Sequence, residues 1–356
     1  MSLLQLPTEL LLHILGYLGP EFFRQDITRL TISTRWYRLA WQLLVRDLQL
    51  TTRSLVRFTK DEAVLLRSHP FITTVQLSFY GFNDPKPLTQ IAHHAKDPDD
   101  TDGITIYERI LQLNSSLATL ATMLHRCPCL RDLKIKAGPG DPQYLEHNLG
   151  RRGYLLAKPL ASLLSVHHLT SLELDTAGSY PLSDAGDSGT HLCCSIGSLL
   201  PSLRRLRCRM DIICDALLKP AIQDTPLNLE ELIINLSLSE LSDSVTSYRY
   251  PRRCGSASVE STLQLRATIE SQATKLSRQL SSPRMVRIIS HELPSFAIYG
   301  FDALTGQRVR LKPGMQWDAD GELVEDPSAN ETDESDASEE TDLFENDSQS
   351  EPETVW

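Results

Sequence analysis

The sequence predicts an α/β protein with a three-helix unit at the N-terminus, an irregular α/β solenoid behind it and a disordered acidic tail. Three observations carry this expectation. Apolar residues recur at helical spacing near the start, a short strand signature returns five times between Phe71 and Ile234, and the acidity of the chain is concentrated at its end.

The opening segment is the most specific. Pro7 suits an early helical position, because its locked φ is already helical and its missing N–H would lack a partner there anyway. Glu9 sets a carboxylate at the positive helix end. Apolar residues then recur at Leu10, Leu11, Ile14, Leu15 and Leu18, one face of a helix onto which Leu6 can pack back. A second helical stretch carries Ile27, Leu30, Thr31 and Thr34, and a third carries Trp36, Leu39, Ala40, Leu43 and Leu44. Helices this short bury little apolar surface, so part of their face calls for a partner.

The order Leu6-Pro7-x-Glu9-Leu10, then Ile14 and Leu18, then Asp26-Ile27-x-x-Leu30-x-Ile32-Ser33-Thr34-Arg35-Trp36-Tyr37-x-Leu39-Ala40, resembles an F-box. The longer segment from Gly19 to Gln25, and Ser33 where the family often has cysteine, resemble fungal forms of the motif. The resemblance implies a module of residues 1–50 that binds the Skp adaptor of cullin-RING ubiquitin ligases. The residues it assigns to adaptor binding are Leu6, Pro7, Glu9, Leu10, Ile14, Leu18, Ile27, Leu30, Ile32 and Trp36, the apolar ones shared between the motif's core and the adaptor.

After a short strand at Arg46 to Thr52 and a helix from about Thr59 to Ser68, one shape repeats. Ile72, Val75 and Leu77 are spaced three and then two apart, as are Leu130, Leu133 and Ile135; Leu169, Leu172 and Leu174; Leu203, Leu206 and Cys208; and Leu229, Leu232 and Ile234. The two-residue step is strand alternation, with one face packed and one open. Apolar helical stripes precede them, most clearly from Ile106 to Leu124, with smaller ones at Leu155 to Leu164 and Leu192 to Leu200. This Leu-x-x-Leu-x-Leu core resembles degenerate leucine-rich repeats, and residues 51–324 are expected to form an irregular repeat domain. Loops rich in Pro, Gly and Asp, such as Asn83 to Gly103 and Ala137 to Arg152, account for the uneven spacing.

Further on, Val259 to Leu280 reads as a long, fairly polar helix, partly free of the core, with Leu263, Leu265, Ile269, Ala273, Leu276 and Leu280 on its apolar side. Met285 to Ile289, Phe296 to Phe301 and Arg308 to Leu311 read as strands, with a last hairpin around Asp318-Ala319-Asp320-Gly321 closing the end.

The 356 residues carry a net charge of −11, yet from Pro313 onward there are 16 acids and no Lys or Arg, leaving 30 acids against 35 bases before it. So mild an excess, spread over the body, argues against nucleic-acid binding. Residues 325–356 are too polar to offset their ordering entropy and are expected to be disordered. The seven cysteines, odd in number, point to reduced thiols in the cytoplasm or nucleus, and no apolar run approaches membrane-spanning length. The sequons at Asn114, Asn235, Asn330 and Asn346 are then chance.

No metal or cofactor is expected. Cys127-Pro128-Cys129 and His191-Leu192-Cys193-Cys194 each lack a second ligand pair at a matching spacing. His93-His94 and His167-His168 read as solvated or capping residues. Asp318-x-Asp320-Gly321 lacks the twelfth-position Glu of a calcium loop. No phosphate cradle, Gly-x-Ser-x-Gly elbow or His-Glu-x-x-His helix is present.

The expected function is therefore substrate recognition within a Skp-cullin-F-box ubiquitin ligase, with catalysis in other subunits and an unidentified protein as substrate. The alternative is a repeat scaffold with no ligase role. Arg204, Arg205, Arg207 and Arg209 form a basic patch on the open strand face, a candidate substrate surface and a candidate dock for the acidic tail.

Overall fold

The computed structural model describes residues 6–80, 106–138, 153–179, 191–222, 225–238, 250–255, 262–292 and 297–324. His93-His94, the acidic tail from Glu325 and most of the two long loops lie outside them.

The first helix, α1 (Thr8–Gln25), is longer than its apolar spacing suggests, because the segment after Leu18 continues helically across a kink at Gly19, where φ is 72° ahead of Pro20. Glycine alone reaches that φ without strain, and Pro20 then serves as the early residue of the second limb. Pro7 stands one place earlier than expected, as the N-cap, and its carbonyl accepts from Leu11 N at 3.1 Å.

The second stretch is a 3-10 turn, Ile27–Ile32, rather than an α-helix. Its β-branched residues crowd an α-helical turn, and polar caps bound it on both sides. Thr28 N donates to Asp26 Oδ1 at 3.0 Å, and Trp36 N donates to Ser33 Oγ at 3.1 Å, which opens α2 (Thr34–Arg46). Leu11, Leu15, Phe23, Leu30, Trp36, Leu39 and Ala40 close into a small core of their own.

Strand β1 (Asp47–Thr51) follows α2 with no intervening residue. It straddles the expected domain boundary at residue 50 and belongs to the sheet. The expected helix at 59–68 is two: α3 (Thr52–Lys60), opened by a Thr51–Ser54 capping box, and α4 (Glu62–Ser68), whose N-cap Asp61 accepts from Val64 N at 3.0 Å.

The rest alternates helix and strand: β2 (Thr74–Tyr80), α5 (Ile106–Leu124), β3 (Asp132–Gly138), α6 (Ala157–Leu164), β4 (Ser171–Asp175), α7 (Leu192–Leu199), β5 (Arg205–Arg209), β6 (Ile212–Ile213), β7 (Glu231–Asn235), β8 (Arg252–Arg253), α8 (Thr262–Ser277), β9 (Met285–Glu292), β10 (Ala297–Asp302), β11 (Arg308–Leu311) and β12 (Glu322–Leu323). Among the described residues ten strands form one sheet in the order β1-β2-β3-β4-β5-β7-β9-β10-β11-β12. It is parallel from β1 to β9 and antiparallel beyond, while β6 and β8 pair separately. Residues 6–323 thus lie within one compact α/β unit dominated by a parallel sheet.

All fifteen apolar positions of the five sequence repeats are buried, none more than 1% exposed. The register stacks them in rows: Val75, Leu133, Leu172, Leu206 and Leu232 lie side by side. Two further strands carry the pattern unnoticed in the sequence. Val45, Leu48 and Leu50 supply it before β2, and Val286 and Ile288 of β9 extend the rows beyond β7.

A backbone corner recurs with them. Just ahead of each strand, one carbonyl takes two N–H groups from the next: Thr73 O from Arg131 and Asp132, Arg131 O from Thr170 and Ser171, Thr170 O from Arg204 and Arg205, Arg204 O from Glu230 and Glu231, Glu230 O from Arg284 and Met285. These bonds span 2.7–3.2 Å and satisfy backbone groups that the helix-to-strand turn would otherwise leave unpaired.

Helix α8 is not a partly free helix. Leu265, Ile269, Ala273 and Leu276 enter the main core, whereas Leu263, off that face, is 67% exposed. The sequon residues Asn114 and Asn235 are buried. Asn114 bridges α5 to the next unit, donating to Ile110 O and Tyr154 O and accepting from Leu156 N.

Candidate functional site

Among the described residues, three places are taken first as candidate functional surfaces or clusters. The first is the surface of the helical unit. Leu10, Leu18, Ile27 and Ile32 are exposed, as are Pro7, Glu9 and, beyond the expected set, Tyr17 at 82%. Leu6 and Ile14 are half-buried. Leu30 and Trp36 are not surface residues: they are 2% and 4% exposed in the unit's own core, and Trp36 Nε1 donates to Arg29 O at 2.7 Å. The reason is geometric, since the 3-10 turn aims Leu30 inward while Ile27 and Ile32 at its ends face solvent.

The second is the outward face of the sheet, where register aligns Gln76, Lys134, Glu173 and Arg207 in one row and Thr74, Asp132, Ser171, Arg205 and Glu231 in the next. Arg205, Arg207 and Arg209 of β5 stand on this face and Arg204 lies just ahead of the strand, all engaged by acids of the same unit. Arg204 lies 4.0 Å from Glu230, and Arg205 lies 3.4 Å from Glu231, which Arg207 also contacts. Arg207 Nη2 reaches Asp318 Oδ2 at 2.7 Å.

Arg209, only 5% exposed, meets Asp175 with two parallel bonds and lies 5.0 Å from the Trp317 ring centroid. The chain's own segment around Trp317 to Ala319 therefore lies against this end of the face, its carbonyls held by Arg287 Nη1 at 3.0 and 2.5 Å. Beneath it Ile233, Ile289, Ile298, Val309 and Leu311 form a separate small cluster with Trp317. The expected open basic patch is thus a set of ion pairs, partly covered.

The third is a cluster that the sequence reading dismissed. His191 caps α7 and Cys193 lies in its first turn; Cys214 follows β6; Cys254 follows β8. The parallel pairing of β6 with β8, extended by Cys254 N donating to Ile213 O at 3.3 Å, carries the last two together. Cys193 Sγ lies 3.7 Å from Cys254 Sγ, Cys214 Sγ lies 3.8 Å from His191 Nδ1, and all four donor atoms fall within 4.8 Å of one another. Hydrogen bonds from the neighbouring Cys193 and Cys254 thiols lower the pKa of Cys214, and Cys193 is correspondingly raised. His191-x-Cys193 was the signal, and its partners come from positions no fixed spacing marks.

Of the other pair only Cys127 is a filler, buried against Met123 O with burial pushing its thiol up to about 12, whereas Cys129 is exposed. Asp318 and Asp320 lie ahead of Gly321, whose φ is 69°, on the approach to β12, with Asp318 turned to Arg207. Ser237 Oγ and His291 Nε2 are 2.7 Å apart, both residues are buried at 2% and 4% exposure, and His291 lines a pocket with Leu236, Tyr250, Leu265 and Arg266. No helix among the described residues is long and apolar enough to cross a membrane.

Neither a protein-family model nor a curated protein matches the chain.

Proposed function

We propose that the chain is a substrate-recognition subunit of a Skp-cullin-F-box ubiquitin ligase, with the helical unit docking the adaptor and the repeat-bearing sheet presenting a protein substrate. The observation that carries it is the division of the helical unit's apolar residues. Leu11, Leu15, Phe23, Leu30 and Trp36 seal its core, while Leu10, Tyr17, Leu18, Ile27 and Ile32 stay exposed. Solvent exposure of that many large apolar side chains on so small a unit is the mark of a protein interface. Burying each is worth about 1.5–3 kcal/mol, enough together to offset the cost of association.

The stacked apolar rows and the recurring backbone corner support the repeat reading, since each unit repeats both its side-chain and its main-chain contacts with the next. On this reading the sheet is a solenoid of leucine-rich-repeat type whose strand face and loops hold the substrate, and ubiquitin transfer belongs to other subunits. The chain contributes proximity alone, turning a rare encounter of substrate lysine and charged conjugating enzyme into an intramolecular one.

Coexpression with a Skp adaptor tests this. Wild type should recover adaptor in equal amount, and Leu10→Lys with Ile32→Asp should not. Recovery of a cullin with the adaptor supports the ligase role. Adaptor without cullin favours a scaffold, and no adaptor from wild type rejects the F-box reading.

A further inference from the structure

Three cysteines and a histidine, drawn from three separate segments, gather at the joint between α7 and the small β6–β8 pair. We propose that His191, Cys193, Cys214 and Cys254 are the four ligands of a structural zinc ion. The donor set fits that ion: soft thiolates with one imidazole select zinc over calcium or magnesium, and Cys3His is a closed tetrahedral set with no position open to substrate.

The separations fit as well. With Zn–S near 2.3 Å and Zn–N near 2.0–2.1 Å, a tetrahedron has S–S edges of about 3.8 Å and S–N edges of about 3.5 Å. Cys193 to Cys254 measures 3.7 Å and Cys214 to His191 Nδ1 measures 3.8 Å. The remaining edges, at most 4.8 Å, close by no more than about 1.3 Å when the ion is bound.

Two further details belong to a metal site rather than to apolar filling. Cys214 N points its N–H at Cys193 Sγ from 3.3 Å, the backbone-to-sulfur bond that orients and stabilises a coordinated thiolate. His191 turns Nδ1 toward Cys214 and leaves Nε2 on the other side, 3.6 Å from the exposed Cys194 Sγ, so Cys194 stands outside the set. A disulfide between Cys193 and Cys254 would use two of the four groups and give Cys214 and His191 no role.

Binding of the ion converts the cysteine thiols to thiolates and releases their protons to solvent, the neutral imidazole coordinating through its unprotonated nitrogen, with no change of oxidation state. It ties α7, the 3-10 turn Asp215–Leu218 that begins after Cys214, and β8 into one body. Those ties are local, so the helical unit and its surface are unaffected by loss of the ion.

The test is made on the full-length chain, purified under reducing conditions without chelator and dialysed against metal-free buffer. About one zinc per chain is expected, falling to roughly a tenth or less in Cys254→Ser and His191→Ala, and unchanged in Cys129→Ser and Cys194→Ser. Cobalt in place of zinc should give the intense thiolate charge-transfer and tetrahedral visible bands of a three-sulfur site, a readout on wild type that holds even where a variant misfolds. Zinc chelation should lower the melting temperature of wild type and leave Cys254→Ser unmoved. A wild type that takes up no zinc on reconstitution overturns the proposal. So does a Cys193–Cys254 disulfide in the reduced preparation's peptide map, or loss of zinc in Cys194→Ser with retention in Cys254→Ser.

Discussion

Arg209 and Asp175 sit directly opposite one another on β5 and β4 and meet fork to fork, Nε to Oδ1 at 3.0 Å and Nη2 to Oδ2 at 2.6 Å, away from water. A buried pair of this kind contributes little over an apolar replacement, but removing one partner strands the other charge. Asp175→Ala is expected to cost about 3–5 kcal/mol in urea unfolding, and Asp175→Leu with Arg209→Met to recover most of it. A double variant no more stable than the single one would mean that Arg209 is held chiefly by other contacts.

Gly197 on α7 is fixed by space. A methyl group there would lie 2.5 Å from Ala216 O and 2.7 Å from Lys219 O, both main-chain atoms that cannot swing aside. Gly197→Ala should therefore push α7 off the 3-10 turn and destabilise the protein by about 1–3 kcal/mol, although alanine is the better helix former. Urea unfolding showing a gain in stability would disprove the contact.

The segment at Trp317 is held partly by charge, which makes it sensitive to acid. The hydrogen bond from Arg207 lowers the pKa of Asp318 below its ordinary 3.8. A carboxylate with a depressed folded pKa contributes stability that is present above the unfolded value and lost as pH falls through the folded one. Trp317 emission should thus change only below about pH 4, and Asp318→Asn should show the altered emission already at neutral pH. Because Asp318 is 43% exposed, its share of global stability is small, below about 1 kcal/mol. A large fall in melting temperature in Asp318→Asn would contradict this.

Core and surface of the helical unit should separate cleanly. Trp36→Ala is expected to cost about 3–5 kcal/mol, while Ile32→Asp should stay within about 0.5 kcal/mol of wild type in thermal unfolding. Equal losses would mean that Ile32 is a core residue.

Much of the fold was legible because strand alternation is a local signal: Leu133 and Ile135, or Leu206 and Cys208, mark their strands without knowledge of the rest. The first and seventh strands of the parallel run were harder. Both read as strands but not as repeats, because Val45, in the first place of the pattern, lies inside α2, and β9 has Pro283 where the first aliphatic residue would stand. The charge of the outward face was misjudged for a related reason. Arg207 looks unpaired along its own strand, where alternate residues share a face, and its partners Glu231 and Asp318 lie 24 and 111 residues away. The His191–Cys254 cluster escaped for want of any periodicity at all, since β6–β8 pairing, not spacing, brings its members together.

The passage from α2 into β1 has a mechanical consequence. Arg46 ends the helix and Asp47 begins the strand, Thr73 N binds Arg46 O at 2.9 Å, and Arg24 of α1 also donates to Asp47 O. With no hinge at the joint, the helical unit and the sheet work as a ruler rather than a tether. On the proposed function, adaptor and substrate would be kept at a set distance and angle instead of sweeping through a cone, and a few Gly-Ser residues inserted between Arg46 and Asp47 would erase that spacing without touching either surface.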